Sequence, residues 1–143
     1  NGSEVAFQND PAVLMCSFFQ SPLYPYSGLN SKRQNMVNIP VPAHSNGEMI
    51  RALVRNSWLP ALEAFRPEFI FISAGFDAHE ADMLAQLELV EEDYAWITTE
   101  LVQVAKKHAQ GRMVSCLEGG YHLGALASSS LAHVQALMKA VSE

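Results

Sequence analysis

Two residues with chemical potential, Asp77 and Tyr121, each stand just beyond an apolar run of this sequence. Asp77 follows the run 69–73, and Tyr121 follows the run 112–117. A carboxylate in such a position is well placed for chemistry, and a phenol can donate a hydrogen bond from its hydroxyl. Both residues also have ordinary structural explanations. An Asp after a strand often serves a turn or a helix cap, and an aromatic residue after two glycines often packs against its neighbours.

The two runs have the composition of strands. Residues 69–73 are mostly aromatic or β-branched, which predicts a strand buried on both faces. The run 112–117 leads into Gly119 and Gly120, after which a helical pattern begins. The carboxyl ends of parallel strands face the crevice in which ligands bind, so the polar residues after both strands are expected to meet in one cleft.

The other elements complete an α/β pattern with a mostly parallel sheet. In chain order they are a strand at 13–19, an edge strand at 35–42, a helix from Glu48 that Pro60 kinks or splits, a helix from Glu91 that ends at Gly111, and a helix after Gly124. Apolar spacing predicts a core-facing stripe on the last helix, formed by Ala127, Leu131, Val134, Met138 and Val141. The aromatic loop 20–34 is expected to wall a binding site.

Bulk composition limits the class of protein. The 143 residues are 49% hydrophobic, which suits one domain with a sizeable core. A formal net charge of -6 argues against nucleic acid or an anionic membrane as a partner, since both need clustered Lys and Arg. Apolar stretches are too short for a membrane span.

The two cysteines, Cys16 and Cys116, lie inside apolar runs, where a reduced core cysteine is the usual state, and this fits a cytoplasmic protein. The amino terminus begins without Met and without a signal-peptide pattern. The chain is therefore expected to be part of something longer.

Four stretches of the chain resemble the histone deacetylase and acetylpolyamine amidohydrolase family, whose members are zinc hydrolases. These stretches are Asn1-Gly-Ser, Leu23-Tyr-Pro-Tyr-Ser-Gly28, Ser73-Ala-Gly-Phe-Asp-Ala-His79 and Leu117-Glu-Gly-Gly-Tyr-His-Leu123. The resemblance covers nearly all of this chain but only about the carboxyl half of a family domain. It implies a three-layer, arginase-like fold with a mostly parallel sheet, of which residues 1–143 form one part.

The resemblance implies hydrolysis of an acetyl amide, with an acetylated amine or acetyl-lysine as substrate. By position in the motifs, Asp77 is a zinc ligand and Tyr121 donates to the oxyanion of the tetrahedral intermediate. Tyr24 and Leu84 line the tunnel that holds the acylated side chain. Gly119 and Gly120 let the backbone approach the substrate closely.

The family also implies monovalent cation sites, usually for K⁺, built largely from backbone carbonyls. One involves Ser17 and Phe18, and the other involves Phe7, Asp10, Val13 and Asn35. His79 is expected to be a supporting or loop residue. The other histidines, His44, His108, His122 and His133, are interpreted as solvated or helix-surface residues.

Departures from the family pattern bear on activity. The remaining zinc ligands and the histidine dyad would precede Asn1, so the chain alone is expected to be inactive and to associate with itself or with the missing half-domain. The alternatives are a catalytically silent assembly module and a flavodoxin-like nucleotide-binding domain that uses Gly119 and Gly120. The last lacks a phosphate-binding fingerprint.

Overall fold

The computed structural model describes residues 2–29 and 33–139. Its contacts divide the chain into two compact units, Asn1–Ala43 and His44–Glu143. Each unit contains one two-stranded parallel sheet. The predicted α/β pattern with parallel strands is confirmed.

The first unit consists of helix α1 (Gly2–Phe7), strand β1 (Met15–Gln20) and strand β2 (Met36–Val41). Residues of β1 pair in parallel with those of β2, from Met15 opposite Met36 to Gln20 opposite Val41. Helix α1 was not predicted from the sequence, because this six-residue helix buries no residue and therefore carries no apolar stripe. Pro40 is accommodated in β2 as expected for a short, marginal strand.

The second unit opens with a helix in three segments. Helix α2 (Gly47–Leu53) runs through a π-helical turn (Val54–Trp58) into helix α3 (Leu59–Phe65). Asn46 caps α2 by accepting a 3.1 Å hydrogen bond from the Met49 N–H at its Oδ1. The predicted disturbance at Pro60 is confirmed, and it takes the form of the wider turn just before α3, since proline offers no N–H to continue the helical ladder.

Helix α4 (Glu91–His108) begins without a capping side chain at Val90, as the sequence indicates. Asp93 compensates, because its Oδ2 accepts a 3.0 Å hydrogen bond from the Val90 N–H. The other oxygen of Asp93 lies 2.7 Å from a guanidinium nitrogen of Arg51, which ties α4 to α2. The helix ends with Gly111 donating its N–H to the Ala105 carbonyl at 2.9 Å.

Strands β3 (Ile70–Ala74) and β4 (Met113–Leu117) pair in parallel, with Phe71 opposite Val114 and Ser73 opposite Cys116. Ile70 and Ala74 are buried, but Phe71 is 78% exposed. Val114 and Cys116 are exposed beside it. The prediction of burial on both faces is therefore wrong for the described part of the chain, and Cys116 is not a core cysteine. Cys16 agrees better with the predicted core cysteine, since burial raises the pKa of its thiol to about 12.

Helix α5 (Leu123–Lys139) packs against α4 through a face that the apolar spacing did not predict. Its buried residues are Ala125, Ser129, His133 and Ala136. The predicted core-facing stripe is wrong, because Leu131, Val134 and Met138 are among the exposed large hydrophobics. Three of these four buried residues are Ala or Ser, whose small side chains suit a helix–helix contact, whereas the larger apolar side chains lie at exposed positions. Val141 lies outside the described residues.

His133 is buried rather than solvated, which corrects the interpretation of this residue. Thr98 Oγ1 donates to the Tyr94 carbonyl and therefore accepts from His133 Nδ1, 2.7 Å away. His133 Nε2 is then the acceptor for the Ser115 hydroxyl at 2.8 Å. This chain of hydrogen bonds joins α4, α5 and β4.

Candidate functional site

The carboxylate of Asp77 lies against the backbone that precedes Tyr121. A Cβ placed on Gly119 would stand 2.7 Å from Asp77 Oδ2, and one placed on Gly75 would stand 3.0 Å from Oδ1. The Phe76 N–H donates to the Gly119 carbonyl at 2.8 Å, which joins the chain after β3 to the chain after β4. The two strand ends that the sequence singled out therefore meet in the second unit.

Asp82 holds the turn that carries Tyr121. Its Oδ2 accepts hydrogen bonds from the Tyr121 N–H at 2.7 Å and the His122 N–H at 3.1 Å. Its Oδ1 accepts from the Leu84 N–H at 3.0 Å. Asp82 is only 5% exposed, so one buried carboxylate fixes both the Tyr121 turn and the loop that bears Leu84.

The side chains at the rim of this cluster are open to solvent. Tyr121 is 60% exposed and Leu84 is 62% exposed. Gly120 has a φ of +130°, and a Cβ there would stand 3.1 Å from the Phe76 Cβ, so both its backbone conformation and its surroundings favour glycine. The site therefore combines an exposed phenol side chain with a partly buried carboxylate that lies against the backbone two residues before it.

Electrostatic effects differ between the two acids. Burial raises the pKa of Asp77, and the negative charges of Asp82 and Glu118 raise it further. Burial would also raise the pKa of Asp82, but hydrogen bonds from the N–H groups of Leu84, Tyr121 and His122 outweigh burial and lower it. Asp82 therefore stays ionised more readily than Asp77.

His79 supports the loop after Asp77, as expected. Its Nδ1 accepts from the Ala81 N–H at 3.0 Å, so the ring hydrogen resides on Nε2, which lies 3.5 Å from a carboxylate oxygen of Glu91. The hydroxyl of Ser128 donates to the same carboxylate. Glu91 thereby links the loop to the start of α4 and to α5.

The first unit holds Tyr24 and the residues of the two predicted cation sites. Tyr24 is 81% exposed, in the segment between β1 and β2. Ser17 and Phe18 lie in β1, where they pair with Asn38 and Ile39. Asn35 Nδ2 donates to the carbonyls of three residues, at 3.1, 2.9 and 3.0 Å; they are Phe7, Asp10 and Val13.

The described residues contain no group of three or more His, Cys, Asp or Glu side chains that could hold a metal ion. Zinc sites take three or four protein ligands, and Asp77 is the one candidate ligand that the motifs indicate. The described part of this chain therefore does not by itself fit a zinc site. None of its helices has the length and apolarity needed to cross a membrane.

Asp82 and His133 are the residues whose importance the sequence did not reveal. Asp82 follows Asp77 by five positions in a loop, where an acid is ordinary. A buried carboxylate that accepts three backbone N–H groups is visible only when the Tyr121 turn is placed beside it.

Comparison with known proteins gives the family. The family model "Histone deacetylase domain" matches residues 1–137. A probable deacetylase of Archaeoglobus fulgidus is 36% identical over 144 residues, which covers 96% of this chain and 40% of that protein. A histone deacetylase-like amidohydrolase of Pseudomonas aeruginosa is 34% identical over 128 residues, which covers 85% of this chain and 34% of that protein.

Solved structures agree with the sequence comparison. The crystal structure of the HDA15 HD domain superposes with a TM-score of 0.88 at 28% identity, covering 98% of this chain and 42% of that one. The histone deacetylase Clr3 superposes with a TM-score of 0.85 at 29% identity, covering 96% of this chain and 25% of that one. This chain thus spans less than half the length of these relatives. It belongs to the histone deacetylase family, and its fold is part of the deacetylase fold.

Proposed function

We propose that this chain supplies the Asp77 and Tyr121 side of the active site of a zinc-dependent deacetylase, which acts on acetyl-lysine or acetylpolyamine-type amides. The observation that carries the proposal is the position of the Asp77 carboxylate, whose Oδ2 would lie 2.7 Å from a Cβ placed on Gly119, two residues before Tyr121. Family membership supports the same activity.

Tyr121 has the role of oxyanion donor in this proposal. When water adds to an amide carbonyl, the carbonyl oxygen becomes negative, and a fixed hydroxyl that donates to it stabilises the transition state. The exposure of the phenol leaves it accessible to a substrate, while the hydrogen bonds that Asp82 accepts from the Tyr121 and His122 N–H groups fix the backbone from which the phenol projects. Asp82 is thus a positioning residue.

Asp77 has the role of one zinc ligand. Zinc, when bound, polarises the amide carbonyl and the attacking water. The other ligands and the general base must come from polypeptide that this sequence does not include, so the 143-residue chain by itself is expected to be inactive. K⁺ binding at Ser17 and Phe18 remains a prediction of the family resemblance, and a cytoplasmic location remains a prediction from the two cysteines.

The substrate-binding residues are proposed from the same motifs. Leu84 borders the acylated side chain, and the backbone of Gly119 and Gly120 approaches it closely. Tyr24, with its exposed ring, is the proposed aromatic wall.

The test compares two proteins, the 143-residue chain and a longer protein in which the polypeptide typical of the relatives precedes it. Acetate release from an acetyl-lysine peptide and an acetylpolyamine is measured with zinc present. The longer protein is expected to be active, and Tyr121→Phe to lower its rate by about 10²–10³ with an unchanged Tm. Full activity of the 143-residue chain, or of the Tyr121→Phe variant, contradicts the proposal.

A second candidate function is a silent module that associates with itself or with a partner half-domain. The exposed apolar face of β3 and β4 favours it, because Phe71 and Val114 lie side by side there and the Phe71 ring centroid is 4.7 Å from that of Phe69. Oligomerisation of the 143-residue chain, together with inactivity of the longer protein, would support this function over catalysis.

A further inference from the structure

Three backbone carbonyls of the first unit converge on one side-chain nitrogen. Asn35 Nδ2 lies 3.1 Å from the Phe7 oxygen, 2.9 Å from the Asp10 oxygen and 3.0 Å from the Val13 oxygen. The carbonyls belong to the end of α1 and the turn that follows it, and Asn35 stands just before β2. A single amide therefore ties residues 7–13 to the start of β2.

The orientation of the Asn35 amide follows from its surroundings. An amide group has an NH₂ end that only donates and an oxygen end that only accepts. Three carbonyl oxygens face it, so the NH₂ end must point toward them, since the oxygen end would place four acceptors together. The NH₂ group has only two hydrogens for three acceptors. The three carbonyl oxygens therefore share the positive end of one amide dipole.

A cluster of carbonyl oxygens around one centre is also the arrangement by which proteins replace the hydration shell of a monovalent cation. Here that centre is taken by Nδ2 itself. The backbone carbonyl of Asn35 is engaged elsewhere, because it accepts a 2.9 Å hydrogen bond from the Met15 N–H at the start of β1. An ion and the amide nitrogen cannot occupy one position, so these four residues do not fit a bound cation while the amide points inward.

We propose that the Asn35 amide stands in for a monovalent cation, so that the segment 7–13 is held against β2 without a bound ion. The positive end of the amide dipole meets the same three oxygens that an ion would meet. Asn35→Asp replaces the donor NH₂ by an oxygen at constant size, so an ionised carboxylate at neutral pH turns an oxygen toward the three carbonyls and a bound cation is then needed to hold the four oxygens together.

The test uses the full 143-residue chain in KCl, NaCl and tetramethylammonium chloride at equal ionic strength. Hydrogen exchange of the peptide that covers residues 8–15 reports on the segment directly, because the N–H groups of Asp10, Val13 and Met15 lie within it and are hydrogen-bonded. The wild type is expected to exchange equally fast in the three salts. Asn35→Asp is expected to exchange roughly tenfold faster in tetramethylammonium chloride and to regain protection in KCl.

Asn9→Asp is the matched control, since it makes the same chemical change at an exposed position of the same unit. Protection of the wild type that depends on K⁺ overturns the proposal. So does an Asn35→Asp variant that behaves like Asn9→Asp in every salt, or one that K⁺ fails to restore. If Asn35→Asp does not fold, the comparison of the wild type in the three salts decides alone.

Discussion

Asp82→Asn tests whether one carboxylate positions the Tyr121 turn. The substitution keeps the size of the side chain and removes its charge. An Asn oxygen in place of Oδ2 can still accept from the Tyr121 and His122 N–H groups, now 2.7 and 3.1 Å from that position. The amide nitrogen then faces the Leu84 N–H, so two donors meet where a 3.0 Å hydrogen bond stood.

The expected loss follows from these three bonds. A hydrogen bond to a charged group contributes about 1.5–3 kcal/mol and a neutral one about 0.5–1.5 kcal/mol, so the two retained bonds each weaken by about 1 kcal/mol. The unsatisfied Leu84 N–H costs about 1–3 kcal/mol more. The free energy of opening the turn should fall by about 3–5 kcal/mol, which raises exchange of the Tyr121 and His122 amides on the order of 100-fold or more.

The pH dependence supplies a second readout. Because the folded pKa of Asp82 is held below its unfolded value of about 3.9, its contribution is fully present above that pH and is lost as the pH falls through the folded pKa. The wild type should therefore lose protection of the turn in acid. Asp82→Asn should already show this reduced protection at neutral pH and should lack the acid transition.

Hydrogen exchange with mass spectrometry on the peptide that covers residues 119–126 makes the measurement. Glu80→Gln is the matched control, because Glu80 is an exposed acid of the same loop and the change removes the same charge. Equal exchange in Asp82→Asn and Glu80→Gln would refute the role given to Asp82. Faster exchange throughout the chain would show a global rather than a local effect, and would refute it too.

Three further predictions concern the packing of the second unit. Gly119→Ala places a Cβ 2.7 Å from Asp77 Oδ2 and should displace that carboxylate at a cost of about 1–3 kcal/mol in stability. Gly2→Ala is the control, because its Cβ would meet nothing within 4 Å and should leave stability unchanged. Thermal unfolding measures the loss of stability, and a crystal structure of Gly119→Ala shows whether the carboxylate has moved. Burial lowers the pKa of His133, so as the pH falls the unfolded chain is protonated at this residue before the folded chain is. The free energy of unfolding should therefore decrease below a pH of about 6.5. Urea unfolding should show a smaller decrease in His133→Gln. Phe71→Ser on the exposed sheet face should leave Tm within about 2 °C but weaken self-association in sedimentation velocity, and unchanged association would exclude this face as the interface.

Local features of the fold could be read from the sequence wherever they depend on neighbouring residues. Helix α4 was anticipated from its acidic first turn and from Gly111, and the irregular turn before α3 was anticipated from Pro60. Strand positions followed from β-branched and aromatic runs. The exposed helix α1 was missed because it carries no apolar pattern.

The two faces of β3 and the buried face of α5 could not be read in this way. Apolar periodicity reports which residues suit burial, but not which neighbour is present to bury them. Phe71 is apolar and exposed, while His133 is polar and buried, because Thr98 and Ser115 satisfy both of its ring nitrogens. Such pairings join residues far apart in the chain.

By itself the sequence determined the residue types at the site, Asp77 and Tyr121 after two strands, and the motifs that indicate a deacetylase. The tertiary structure decided how these residues are held. The Asp77 carboxylate lies against Gly119, Asp82 accepts from the N–H of Tyr121, and the Asn35 amide donates to three carbonyls, because the strands and loops that carry each group come together within its own unit. The physical reason is that hydrogen bonds and close contacts act over a few ångströms in space, whatever the separation of their partners along the chain.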